Sequence, residues 1–163
     1  MKGVVAYDSY YGNTKRVAEA IVEQIKADGH EAELRSVREK YPSPPQGDFL
    51  FLGSPNRFKK VTRKAKRFVK KLDRDAWKNK PIAIFVTVGQ MPPETATEEE
   101  KAKARKWILE AGPQLRDLAR ARGFNVVEKV LHVPVKDSKG PLVDNGIELT
   151  KQYAHEFVET LKK

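Results

Sequence analysis

The chain has 163 residues, 39% of them hydrophobic and 33% charged, with 32 Lys+Arg against 22 Asp+Glu and a formal net charge of +10. That length suits one domain spanning 1–163, no apolar run approaches the roughly 20 residues of a membrane span, and Met1-Lys2 leads straight into a strand without an export signal, which predicts a cytoplasmic protein. The absence of cysteine excludes disulfides, thiolate catalysis and cysteine-ligated zinc or iron-sulfur centres, so any redox role needs a borrowed cofactor.

Residues 3–8 are a short and almost continuously apolar strand, as expected of a parallel strand covered on both faces. It stops in Ser9-Tyr10-Tyr11-Gly12-Asn13-Thr14. From Asn13 to about Ala27, Val17, Ile21, Val22 and Ile25 recur at helical spacing until Gly29 ends the helix. Glu31–Val37 alternates as an edge strand does, with Ala32, Leu34 and Val37 as its apolar positions. Tyr41 to Gly47 is a proline-rich loop. Asp48–Gly53 is a second buried strand that runs into Ser54-Pro55-Asn56-Arg57-Phe58. The next segment, Lys60 to Leu72, reads as a helix with Val61, Ala65, Phe68, Val69 and Leu72 inward. Its other face carries Lys60, Arg63, Lys64, Lys66, Arg67, Lys70 and Lys71, with no acid between them.

Pro81 opens a third buried strand, Ile82–Val88, which ends in Gly89-Gln90-Met91-Pro92-Pro93. Thr97 and Glu100 form a capping box, so a helix starts there and runs through Trp107 and Leu109. It kinks or restarts at Gly112-Pro113 and ends at Gly123. Residues 124–133 make the last strand. After a polar connector, Pro134 to Asn145, the positions Leu149, Tyr153, Phe157 and Leu161 define a closing helix.

Strands and helices alternating in this way predict an α/β fold, a three-layer open parallel five-stranded sheet. In the strand order 2-1-3-4-5, ligands bind off the carboxyl ends of the strands, where the order reverses between strands one and three. The loops Ser9–Thr14, Ser54–Phe58 and Thr87–Met91 then converge. In the first of them a helix start leaves backbone N-H groups free beside the positive end of the dipole, an arrangement suited to a phosphate. Gly12 permits close approach, and Ser9 and Thr14 add hydroxyls. Turns of Ser, Gly, Asn and Thr also serve simply as helix caps, so this loop alone leaves both readings open. The spacing is neither that of a Walker loop nor that of a dinucleotide fingerprint. A phospho-acceptor domain of the same topology would need an Asp at the end of strand three, where this chain has Leu52-Gly53.

Ser9-Tyr10-Tyr11-Gly12-Asn13-Thr14 resembles the Ser-x-x-Gly-Asn-Thr loop with which the flavodoxin family wraps the phosphate of FMN. Gly53 to Phe58 is similar to the Gly-Thr/Ser-Pro-x-Arg-Phe segment of flavodoxin-like quinone reductases, and Gly140-Pro141-Leu142 to flavodoxin domains attached to larger flavoproteins. The resemblance implies that Ser9, Tyr10, Tyr11, Gly12, Asn13 and Thr14 hold the FMN phosphate. It further implies that Pro55, Asn56, Arg57, Phe58, Thr87, Val88, Gly89, Gln90 and Met91 line the isoalloxazine ring. The implied activity is electron transfer through FMN or, for an enzyme, FMN-dependent oxidation of the NAD(P)H:quinone reductase type.

The chain departs from the family in three respects. Phe58 is the only middle-loop aromatic, and Met91-Pro92 stand where a later-loop Tyr is common. Tyr11 replaces a frequent Thr. Flavodoxins are usually acidic, so a basic chain implies an acidic redox partner. The alternative is a flavin-free flavodoxin-fold binding module that presents Lys60 to Lys71 to an acidic protein or nucleic acid, against the plainer reading of a solvated face. Arg57 reads either as a steadying charge for the flavin or as an idle loop residue. His30, His132 and His155 are scattered and read as structural, and Trp77 and Trp107 as packing residues.

Overall fold

The most apolar runs of the chain become five parallel strands, β1 (Lys2–Tyr7), β2 (Glu31–Ser36), β3 (Phe49–Pro55), β4 (Ile82–Val88) and β5 (Leu131–Pro134). The computed structural model describes Met1–Lys162, and its strands pair in the expected order β2-β1-β3-β4-β5. Side chains alternate across the sheet. Val5, Phe49, Phe51, Ala83 and Phe85 face α1 (Asn13–Ala27) and α6 (Gly146–Leu161). Val4, Leu50, Leu52, Ile82 and Ile84 face α2 (Arg63–Lys71), α3 (Arg74–Trp77), α4 (Glu98–Leu109) and α5 (Ala111–Ala121). The result is two apolar layers with one sheet between them. No helix among the described residues is long and apolar enough to cross a membrane.

Several elements differ from expectation. The last strand does not run over 124–133. Phe124 to Val130 makes a single bridge, Val126 to Ile82, and regular pairing begins only at Leu131. Carbonyls upstream of it are taken by side chains: Val126 O by Arg120 at 2.9 Å and Glu128 O by Arg116 at 2.9 Å. The buried Tyr153 hydroxyl claims Lys129 O. Helix α2 begins at Arg63 rather than Lys60, because Thr62 caps it by accepting from the Ala65 N-H. A short helix missing from the sequence reading, α3, follows it with Asp73 as its cap.

The expected kink at Gly112-Pro113 is a helix break at Glu110, two residues earlier. Pro113 thus lies in the first turn of α5, where its missing N-H leaves no bond unmade. On α6, Leu149 is exposed, and Thr150, Tyr153, Ala154, Phe157 and Val158 form the buried stripe. Trp77 packs in the core, as read from the sequence, and donates to Pro45 O.

Candidate functional site

The carboxyl ends of β1, β3 and β4 open into one cavity of about 600 Å³. Its first wall is the turn into α1. Gly12 adopts a left-handed conformation with φ 91°, which costs glycine nothing for want of a Cβ. Its N-H donates to Ser9 Oγ at 3.1 Å. Helix α1 then starts at Asn13 with no side-chain cap and no acid in its first turn. The first-turn N-H groups of Asn13, Thr14 and Lys15 have no acceptor within the helix, and Asn13 and Thr14 line the cavity. Free donors at the positive end of a helix dipole select an anion. The Ser9 and Thr14 hydroxyls are partly committed within the protein, Ser9 to Gly12 and Thr14 Oγ1 to Thr87 Oγ1 at 2.8 Å. The second of these bonds is buried and ties the first loop to the end of β4.

The middle loop is held differently. Arg57 and Lys60 exchange backbone hydrogen bonds of 2.7 and 3.0 Å around Phe58 (φ 53°) and Lys59 (φ 67°). A turn with both central residues left-handed ordinarily uses Asn and Gly. Phe58 is 74% exposed and meets Trp107 edge-on, with ring centroids 6.4 Å apart. Asn56 donates through Nδ2 to Trp107 O at 2.6 Å, and its Oδ1 is buried without a partner. Arg57 does not fill the hollow. Its guanidinium lies 4.4 Å from the centre of the Tyr10 ring, which Arg38 also approaches at 4.6 Å. Arg38 pairs with the fully buried Asp8, and that bond raises its pKa.

From the third loop Thr87, Val88, Gly89 and Gln90 line the cavity, and Gln90 Nε2 donates to Lys136 O at 3.3 Å. Met91 is exposed and is not part of the wall. Ser9, Tyr10, Tyr11, Asn13, Thr14, Pro55, Asn56, Arg57 and Phe58 are all on the wall. Gly12 shapes the turn without lining it. Sequence reasoning missed Trp107 and the segment Val135 to Ser138, which also line the cavity. The signal for Trp107 was available. On the highly charged α4, the buried Ile108 and half-buried Ala104 face the core, and Trp107 lies off that stripe, 48% exposed.

The histidines stand apart from this cavity. His155 pairs with Asp28 at 2.9 Å, and His30 Nδ1 meets the N-terminal amine. His132 is held below its ordinary pKa by burial. Among the described residues no group of three or more His, Asp or Glu is placed to hold a metal.

A family model described as a flavodoxin domain matches residues 4–131. The chain belongs to the flavodoxin family. Solved structures share the flavodoxin fold. A flavodoxin from the domain Archaea is 21% identical, with 100% of both chains covered and a TM-score of 0.74. The oxidised Flavodoxin 1 of Bacillus cereus is 21% identical, with 98% of each chain covered and a TM-score of 0.68. A flavodiiron core from Synechocystis is 18% identical with a TM-score of 0.70, over 99% of this chain and 36% of that one. No curated protein matches significantly.

Proposed function

We propose that this flavodoxin-family chain binds one FMN non-covalently and carries electrons. The observation that supports it most is the uncapped start of α1 at the wall of a cavity of about 600 Å³ formed by three converging loops, a size ordinary for a small-molecule site. The residues present fit the cofactor. The amides of the first turn, with the Ser9 and Asn13 side chains, suit the phosphate. Asn56 Oδ1, a buried acceptor without a partner, suits a ring N-H. Trp107, beside Phe58 of the middle loop, supplies the aromatic surface that the third loop lacks in the sequence.

FMN would supply the redox chemistry, and the protein binding, orientation and electrostatics. Arg57 places positive charge at the cavity mouth, which favours negative charge on a group bound beside it. Purified protein should show the visible absorbance of bound flavin, or acquire it on addition of one equivalent of FMN. Colourless protein with no change in FMN fluorescence on titration contradicts the reading and leaves the flavin-free binding module. Steady oxidation of NADPH with a quinone acceptor would identify a quinone reductase in place of a carrier.

A further inference from the structure

The segment Arg57–Lys80, between β3 and β4, contains 12 of the 32 Lys+Arg and 2 of the 22 Asp+Glu, which leaves 20 of each in the rest of the chain. The net charge is therefore confined to one band and is not a general property of the surface. Arg63, Lys64, Arg67, Lys70 and Lys71 on α2 are exposed. Among the described residues no cation of this segment lies within ion-pair distance of a carboxylate, whereas elsewhere Arg116 and Arg120 share Glu128 and Lys151 pairs with Glu23. Like charges one turn apart weaken a helix, so the arrangement works against α2 by itself.

The band begins at the cavity mouth. Arg57 lies on Tyr10, and Lys59 lies 5.3 Å from the Trp107 ring centre. Tyr10, Phe58 and Trp107 are exposed there. An apolar aromatic centre bordered on one side by a single sign of charge is the anatomy of a protein-docking surface. We propose that an acidic redox protein docks on Arg57–Lys80, with its own one-electron centre over the Tyr10, Phe58 and Trp107 cluster. This rests on the flavin reading above. In each encounter one centre loses an electron and the other gains it, with no further reactant.

Nucleic acid fits less well. Rings that would stack bases are already engaged by the protein's own cations: Tyr10 by Arg38 and Arg57, Tyr11 by Lys139, Trp107 by Lys59. A base must displace them, whereas a partner's carboxylate pairs with Arg57, Lys59 and Lys139 where they stand.

The test is equilibrium binding of a strongly acidic [2Fe-2S] ferredoxin to the FMN-titrated chain, with poly(U) as the competing probe. Binding should weaken at least tenfold between about 0.05 M and about 0.5 M salt. Reversing Lys64, Arg67 and Lys71 to Glu should weaken it about tenfold or more and leave FMN affinity unchanged. The same reversal at Lys26, Lys129 and Lys162 should change it far less. Equal losses in the two triple variants, salt-independent binding, or tighter binding of poly(U) than of ferredoxin overturns the docking surface. FMN binding without docking overturns the surface alone, and docking without FMN binding overturns the redox reading alone.

Discussion

Residues 9–14 and residues 55–60 meet at the cavity mouth, where Arg57 lies on Tyr10, yet they are held in place by different means. The first loop has one left-handed residue, and it is a glycine. Behind it Val17, Ala18, Ile21 and Ile25 are fully buried, and a buried hydroxyl pair joins Thr14 to Thr87. The middle loop places Phe58 and Lys59 both at positive φ, which costs ordinary residues about 1–2 kcal/mol each. It exposes an aromatic ring in return. Strain retained in an exposed loop points to function at that loop. On the proposed flavin reading, the first loop is a backbone receptor for the phosphate, while the middle loop presents side chains to the ring and to a docking partner.

The largest expected effect comes from making the first loop as strained as the second. Gly12→Val places a β-branched residue at φ 91° and should weaken FMN binding by about 2–3 kcal/mol, roughly 30- to 150-fold, in a calorimetric titration. Unchanged affinity would show that the turn does not form the receptor. Thr14→Val strands the Thr87 hydroxyl in a buried site and should cost about 1–2 kcal/mol of stability in urea unfolding. In the opposite direction, Lys59→Gly relieves the middle loop and should raise stability by about 0.5–1 kcal/mol after the entropy of a more flexible unfolded chain is subtracted. A loss there would mean that the left-handed turn carries no strain.

The smallest effect concerns the far end of α1. The bond and charge of Asp28 raise the pKa of His155. For Asp28, burial works upward, but the hydrogen bonds from His155 and Gln24 prevail and lower it. The pair therefore contributes fully between the unfolded values of 3.8 and 6.5. Its contribution is lost as pH rises through the raised His155 value, and also as pH falls through the lowered Asp28 value. His132 acts with the opposite sign, since burial lowers its pKa and stability falls as pH drops below its unfolded 6.5. The difference between wild type and His155→Gln in thermal unfolding removes the His132 effect. That difference should be a small stabilisation near pH 5.5 that fades at alkaline pH.

The strands and the loops between them were legible because each rests on local signals, and the convergence of three of those loops followed from topology. Runs such as Phe49 to Leu52 and Ile82 to Val88 are buried on both faces, and Gly12 marks its own turn. What was not legible depends on side chains that reach across the fold. The late start of β5 reflects two extra residues between the Ile82–Val126 bridge and the Phe85–Leu131 pair, a segment whose carbonyls are held by Arg116, Arg120 and Tyr153, and no periodicity encodes it. Val135 to Ser138 reach the cavity only because β5 is parallel to β4 and ends beside it. The +10 charge was visible from composition, but its meaning depended on where it lay, and α2 with its flanking loop holds nearly all of the imbalance.

The central claim is that the uncapped amides at the start of α1 grip a phosphate. Fluorescence titrations of the protein with FMN and with riboflavin, which lacks only that phosphate, test it most directly. The account predicts one FMN per chain, bound at least about tenfold more tightly than riboflavin. Equal affinity for the two, or no binding of either, would contradict it.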